Sequence, residues 1–227
     1  MTALDHFLAT FFNGAVIARY LPAILDGVWV TIACSLLIVV FGVAAGVFLA
    51  CARAFQILPV NFAIVVFADM LRALPPLVLI LLAYFGLPNV GIMLSSFLVL
   101  FIILGLVLAA FTEEIVWAGI TAVDKGQWEA ARSTGIGFTG TLLRVILPQA
   151  LRMVIPPLTN RAIAITKMTA LGTVIGVPDI LNQATTAQSF SGNASPLTVA
   201  ALAYVILFLP LVMLSRWLEE RFVRYRR

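Results

Sequence analysis

Apolar runs of membrane-crossing length are the feature that most restricts what this chain can become. The first, Val28 to Ala50, is interrupted only by Thr31, Ser35 and glycine. About twenty helical residues cross a hydrocarbon core of about 30 Å, so this run suffices for one span. Four more follow, from about Leu58 to Phe85, Ile92 to Phe111, Val154 to Val177 and Leu197 to Leu214. Backbone in lipid must satisfy its own hydrogen bonds, and uninterrupted apolar runs do so as helices. The expected fold is therefore an all-α membrane protein with about five transmembrane helices. Composition agrees: 63% of residues are hydrophobic and 11% charged, where soluble domains are about half apolar and about a quarter charged. A net charge of +4 does not point to nucleic acid, because the basic residues sit beside apolar spans.

Those basic residues predict an orientation. Arg53, Lys125, Arg132, Arg144, Arg152, Arg161, Arg216, Arg221, Arg224, Arg226 and Arg227 fall on one side of a five-span layout, against Arg19 alone on the other. Positive charge collects on the cytoplasmic side. The amino terminus is then periplasmic and the carboxyl terminus cytoplasmic. The opening MTALDHFLATFFNGAVIARY has no basic n-region and reads as an amphipathic interfacial helix rather than a signal peptide. No repeat or second domain boundary is visible, so residues 1–227 read as one transmembrane domain.

Charges inside the spans are the first candidate functional residues. Asp69 and Arg72 are three apart on one helix face, well inside the second span. Placing a charge there costs about 2.5–3.5 kcal/mol on insertion scales, so such residues pair or line a pathway. Both readings fit: an ion pair that locks helices, or a contact to a substrate's carboxylate or amino group. Lys167, flanked by Thr166 and Thr169, poses the same choice in the fourth span. Pro75-Pro76 and Pro156-Pro157 interrupt hydrogen bonding in those two spans, which occurs in broken helices around mid-membrane sites and also in plain packing kinks. Glu113 and Glu114 are expected at the cytoplasmic interface, reaching water.

Between the third and fourth spans lies the longest polar-rich interval, from Asp124 to Asn160. Gln127 to Ser133 is rich in helix formers, and Gly135 stands where a left-handed residue would end a helix. Thr139 to Ile146 predicts a second short helix, with Pro148 at the tolerated first turn of the next. Such a unit either lies on lipid headgroups or offers an apolar surface to a cleft on another protein. The physics of the residues leaves both open.

Chemistry of other kinds finds no support. Cys34 and Cys51 are about 26 Å apart along one continuous helix, far beyond the roughly 7 Å that a disulfide tolerates. There is no G-x-x-x-x-G-K-[ST] phosphate loop, no nucleophile–base set, no metal cluster and no cofactor signature, and His6 reads as a surface residue. Catalysis is not expected, so energy must come from a partner.

The interval's wording carries a resemblance. Glu129-Ala130-Ala131, three residues, Gly135, nine residues, then Val145-Ile146-Leu147-Pro148 resembles the EAA signature of ABC importer permeases, with Val145 where that signature has Ile. GITAVDKGQWEAARSTG, RVILPQALRMVIPPLTN, KMTAL and VIGVPD are similar to the polar amino acid importers, which handle histidine, glutamine, glutamate, arginine and opines. The likeness runs from Tyr20 to the basic tail. Trp117 stands where that group has Arg, and Arg72-Ala73-Leu74-Pro75 where it has R-G-T-P.

The resemblance implies a type I ABC importer fold in a bacterial inner membrane. Two permease subunits, identical or paralogous, would form the pathway, with ATPase subunits below and a periplasmic or lipid-anchored binding protein delivering substrate. It assigns ATPase coupling to a loop at about 124–148, through Glu129, Ala130, Ala131, Gly135, Leu147 and Pro148. The candidate substrate pathway is Asp69, Arg72, Thr166, Lys167 and Thr169. The competing expectations are a self-contained ion-coupled carrier or channel using the intramembrane charges, and a scaffold in which those charges are structural.

Overall fold

The computed structural model describes residues 2–223, which form helices joined by short turns, with no strand among them. A short helix, α1 (Ala3–Phe11), precedes α2 (Gly14–Ala54), α3 (Leu58–Ala73), α4 (Pro76–Gly86) and α5 (Ser96–Ala122). Then come α6 (Lys125–Ser133), α7 (Phe138–Thr141), α8 (Leu147–Lys167), α9 (Ile180–Ser191) and α10 (Ser195–Val223). Four helical runs are long and apolar enough to cross a membrane, and five if the bent pair α3 and α4 is counted as one span. Arg224, Arg226 and Arg227 lie outside the described residues.

Several helices run past the limits that hydropathy sets. α2 holds 41 residues, about 60 Å of helix, so it extends well beyond one hydrocarbon core. α5 does not end at Phe111 but continues through Glu113 and Glu114 to Ala122. The second span is interrupted at Leu74, whose extended backbone (φ −92°, ψ 138°) is what a residue before proline prefers. The expected short helix from Thr139 to Ile146 is not a separate element. A π turn over Leu142–Ile146 joins α7 to α8, with the Leu147 amide donating to the Leu142 carbonyl. Wider turns of this kind absorb local strain. The turn lets the helix run through Pro148, which has no amide hydrogen to give and would crowd a regular turn. The polar stretch before the last span is largely the helix α9, capped by Asp179.

The chain divides into two compact units. One comprises Met1–Ile38, Leu77–Leu104 and Thr166–Leu211; the other comprises Val39–Pro76, Gly105–Ile165 and Val212–Arg227. In the first, Ile24, Ile180, Ala184 and Ala200 form a buried cluster. Close approach there depends on Gly27, where a Cβ would stand 2.7 Å from the Asp179 carbonyl oxygen. Thr31 completes the contact, donating to the Gly27 carbonyl at 2.9 Å and accepting from the Ile180 amide at 3.3 Å.

The core of the second unit runs from Ala50 and Ala54 through Val116, Ile120 and Val123 to Leu142, Ile146, Ala150 and Val154. Here α2 packs on α5 through Gly42 and Gly46, four residues apart. A Cβ on Gly42 would come within 2.7 Å of Leu108, and one on Gly46 would collide with Thr112. Small residues at this spacing let helix backbones approach closely in lipid, where apolar burial between helices supplies little drive.

Candidate coupling site and intramembrane charges

α6 projects from the second unit with one face held and the other free. Asp124 caps it, accepting from the Gly126 amide at 2.6 Å. Its held face consists of buried Ala131 and half-buried Trp128, whose ring stacks on Phe138 at 5.4 Å; Phe138 in turn meets Phe55 at 5.1 Å. Gln149 ties α8 to α6 by donating to the Gln127 side chain at 3.3 Å and to the Val145 carbonyl at 2.8 Å. The helix stops at Gly135, which takes φ +85° and donates to the Arg132 carbonyl at 3.0 Å. A Cβ at Gly135 would meet nothing within 4 Å. The left-handed backbone, not crowding, is what calls for glycine there.

Opposite the held face, Glu129, Ala130, Arg132 and Ser133 are exposed, and the Glu129 carboxylate is in no ion pair among the described residues. Leu147 is half-buried against the core beneath α6, and Pro148 is exposed. Below α6 a cavity of about 440 Å³ opens among Phe55, Gln56, Trp117, Lys125, Trp128 and Phe138.

The charges form two clusters in the same unit. Arg53, at the end of α2, meets Glu113 at 2.9 Å; the carboxylate side chain is 1% exposed. The same guanidinium lies over the Trp117 ring at 4.8 Å. Glu113 therefore does not reach water, against the expectation for it, because a cation from another helix neutralises it where it stands. Glu114 does remain half exposed, yet it is the principal partner of Arg72, at 2.7 Å. The local Asp69–Arg72 pair is longer, 3.5 Å, with Asp69 mostly exposed. Arg72 and Arg161 both lie over the Phe111 ring, at 5.7 and 3.9 Å. The Arg72 Nε is buried without a hydrogen-bond partner.

Asp69 and Arg72 are thus brought together, joined by Glu114, Phe111 and Arg161, none of which the sequence reading connected to them. Glu114 belongs to α5, and no local spacing links it to Arg72. Thr166, Lys167 and Thr169 belong to the other unit. There the Thr169 hydroxyl donates to the Thr166 carbonyl at 2.8 Å, both residues being buried. Lys167 is exposed, with its ammonium 5.9 Å from the centre of the Phe208 ring.

Asp179, also in that unit, is buried at the start of α9. It accepts from the Asn182 amide at 2.8 Å, the Thr173 hydroxyl at 3.0 Å and the Tyr204 hydroxyl at 3.4 Å. Burial pushes its carboxyl above the usual range, and these hydrogen bonds pull the other way. Among the described residues no group of three or more His, Cys, Asp or Glu side chains could hold a metal ion.

Residues 42–224 match the profile of the binding-protein-dependent transport system inner membrane components. The chain belongs to that family. It is 31% identical over 203 residues to the arginine transport system permease protein ArtQ of Bacillus subtilis, covering 88% of this chain and 93% of that one. It is 32% identical over 208 residues to the L-cystine transport system permease protein TcyB of the same organism, covering 90% and 88%. Among solved structures, that of an amino acid ABC transporter with histidines aligns with TM-score 0.81 and 33% identity over 90% of this chain and 96% of that one. The inward-facing MetNI methionine ABC transporter aligns with TM-score 0.68 at 18% identity, over 98% of this chain and 99% of that one, which is a likeness of fold.

The permease is accordingly an all-α, multi-pass protein of the bacterial inner membrane with the type I ABC importer fold. It is a transport subunit and not an enzyme, and it works with a separate ATPase and a substrate-binding protein.

Proposed function

We propose that the permease carries a polar amino acid or a closely related compound inward, with a second permease subunit completing the pathway and the ATPase seated on α6. The residues 1–227 act as one transmembrane domain, with the amino terminus periplasmic and α6 cytoplasmic. Support for the substrate class comes from relatives named for arginine and L-cystine transport. Both cargoes carry a carboxylate and an ammonium group, and the Asp69–Arg72–Glu114 cluster offers both charge signs to such a molecule. Thr166, Lys167 and Thr169 are the proposed pathway residues of the other unit.

The observation that carries the docking role is the exposed outer face of α6. Its inner face is fixed by Trp128 and Ala131, while Glu129 and Ala130 are left uncovered and the helix end is set by Gly135. Leu147 and Pro148 open α8, which Gln149 ties to α6, and are the remaining proposed coupling residues. A rigid helix with one free face suits a cleft on a soluble partner.

Gly135→Val tests this directly. A β-branched residue in the left-handed region is strained by at least the roughly 1–2 kcal/mol that L-residues suffer there. The expected result is an inserted, folded permease that no longer co-purifies with its ATPase and loses ATP-driven uptake in proteoliposomes. Undiminished co-purification would overturn the docking role. Uptake of labelled arginine, glutamine and cystine by the wild-type complex with its binding protein tests the substrate class; transport of none of them would sink it.

A further inference from the structure

α1 is a complete, well-capped helix whose apolar face the chain leaves uncovered. Its start is closed by a reciprocal pair: the Thr2 amide donates to the Asp5 carboxylate at 2.7 Å, and the Asp5 amide donates to the Thr2 hydroxyl at 3.2 Å. Its end is tied down by the turn between α9 and α10. The Asn193 side chain donates to the Ala9 carbonyl at 2.9 Å, the Ser195 hydroxyl to the Thr10 carbonyl at 3.3 Å, and the Asn13 amide to the Ser195 oxygen at 2.8 Å. Side chains from a distant turn thus satisfy carbonyls that a helix end would otherwise leave orphaned. The helix is positioned, yet none of its residues is buried.

Leu4, Phe7, Leu8 and Phe11 recur at helical spacing and form one stripe, all of them exposed; Leu4 is 65% and Phe7 50% exposed. Phe7 lies 5.0 Å from Phe11 and 6.1 Å from Phe12, so three rings cluster in the open. Across the helix stand Asp5, His6 and Ala9. Two residues later the chain enters α2, whose Leu21, Leu25 and Trp29 are exposed in the same unit, as lipid-facing residues of a span are. The exposed large apolar side chains of α2 begin at Leu21, about 10 Å of helix past its start, and an aromatic stripe held beside that level needs an apolar neighbour. α1 has no Lys or Arg, so attachment draws on apolar contact and not on charge.

We propose that α1 lies in the lipid–water interface of the leaflet at which α2 begins, with Leu4, Phe7, Leu8, Phe11 and Phe12 in the acyl boundary. That leaflet is the outer one under the topology proposed above, on which this part of the inference rests. The occupant of the stripe is lipid, and helices of this amphipathic kind bind in the interface plane.

The test places single probes on the assembled complex. Phe7→Cys and Leu4→Cys on the stripe, and His6→Cys and Ala9→Cys opposite, are made in a background with Cys34→Ala and Cys51→Ala and labelled with bimane. The complex is reconstituted in vesicles of phosphatidylethanolamine and phosphatidylglycerol, with or without nitroxide-labelled lipid. The stripe probes should be quenched several-fold more by the lipid nitroxide than by aqueous iodide, and the opposite probes the reverse, unchanged in high salt. Iodide quenching of the Phe7 probe equal to that of the His6 probe would overturn the inference. So would shielding of the stripe that needs added binding protein, or energy transfer showing that it faces a second copy. Labelling of Ser191→Cys by an impermeant reagent reports sidedness separately: a wrong topology changes that result alone, and a wrong α1 assignment leaves it intact.

Discussion

Glu113 and Arg53 show what one buried pair does for a membrane protein. The carboxylate is almost fully enclosed and the guanidinium partly so, at 1% and 22% side-chain exposure. Bringing two charges out of water is costly, and their attraction recovers that cost only with good geometry and further contacts. The geometry here is good, and Trp117 adds an aromatic face beneath the guanidinium. Breaking the pair leaves one charge stranded. Glu113→Leu is expected to destabilise the permease by about 3 kcal/mol, at the low end for removing one partner because Arg53 retains water. The double variant Arg53→Met with Glu113→Leu should recover most of that loss. Thermal unfolding in detergent checks both, and equal instability of the single and double variants would show that the pair is not the cause. Trp117 gains meaning from this contact. It stands where the resembled permeases have Arg, and a guanidinium is supplied over its ring by Arg53.

At the scale of elements, caps and turns decide where helices stop. Gly135 ends α6 in the left-handed region, as its spacing from Gln127 to Ser133 predicts. Pro148 falls in the first turn of α8, as expected, but the π turn before it joins α7 to α8 without a break. Composition around Thr139–Ile146 could show helical residues but not the wider turn, whose Leu142 and Ile146 are buried in the core. α9 shows the value of a cap. Asp179→Ala should cost about 1 kcal/mol by removing the N-cap acceptor. Asp179→Asn keeps a cap and tests the charge. Because burial raises the carboxyl of Asp179 in the folded state, the protonated form is favoured by folding. The wild type therefore holds this contribution in full below the usual carboxylate range and loses it as pH rises through the raised value. Asp179→Asn should flatten that part of the stability–pH curve measured by thermal unfolding. An unchanged curve would mean that Asp179 does not set it.

At the scale of the whole molecule, the arrangement of basic residues argues for a cytoplasmic α6. Lys125→Cys, in the cysteine-free background, should react with an impermeant maleimide only when the cytoplasmic side is opened, and Ser191→Cys from the outside of intact cells. The opposite pattern would reverse the proposed orientation of the machine, including the side on which the ATPase sits.

The number and helical nature of the apolar segments were legible in the chain because lipid imposes a rule that acts locally: every backbone group must be satisfied within its own helix. The glycine that ends α6 was legible for the same reason, since a left-handed residue is a local requirement. Pairing was not. Glu113 finds Arg53 sixty positions away, and Arg72 takes Glu114 on α5 at shorter range than its helix neighbour Asp69. These choices depend on the rotation and register of one helix against another. The close contacts of Gly42 and Gly46 with α5 help set that register. Hydropathy places each charge at a depth; only packed helices decide which charge it faces there.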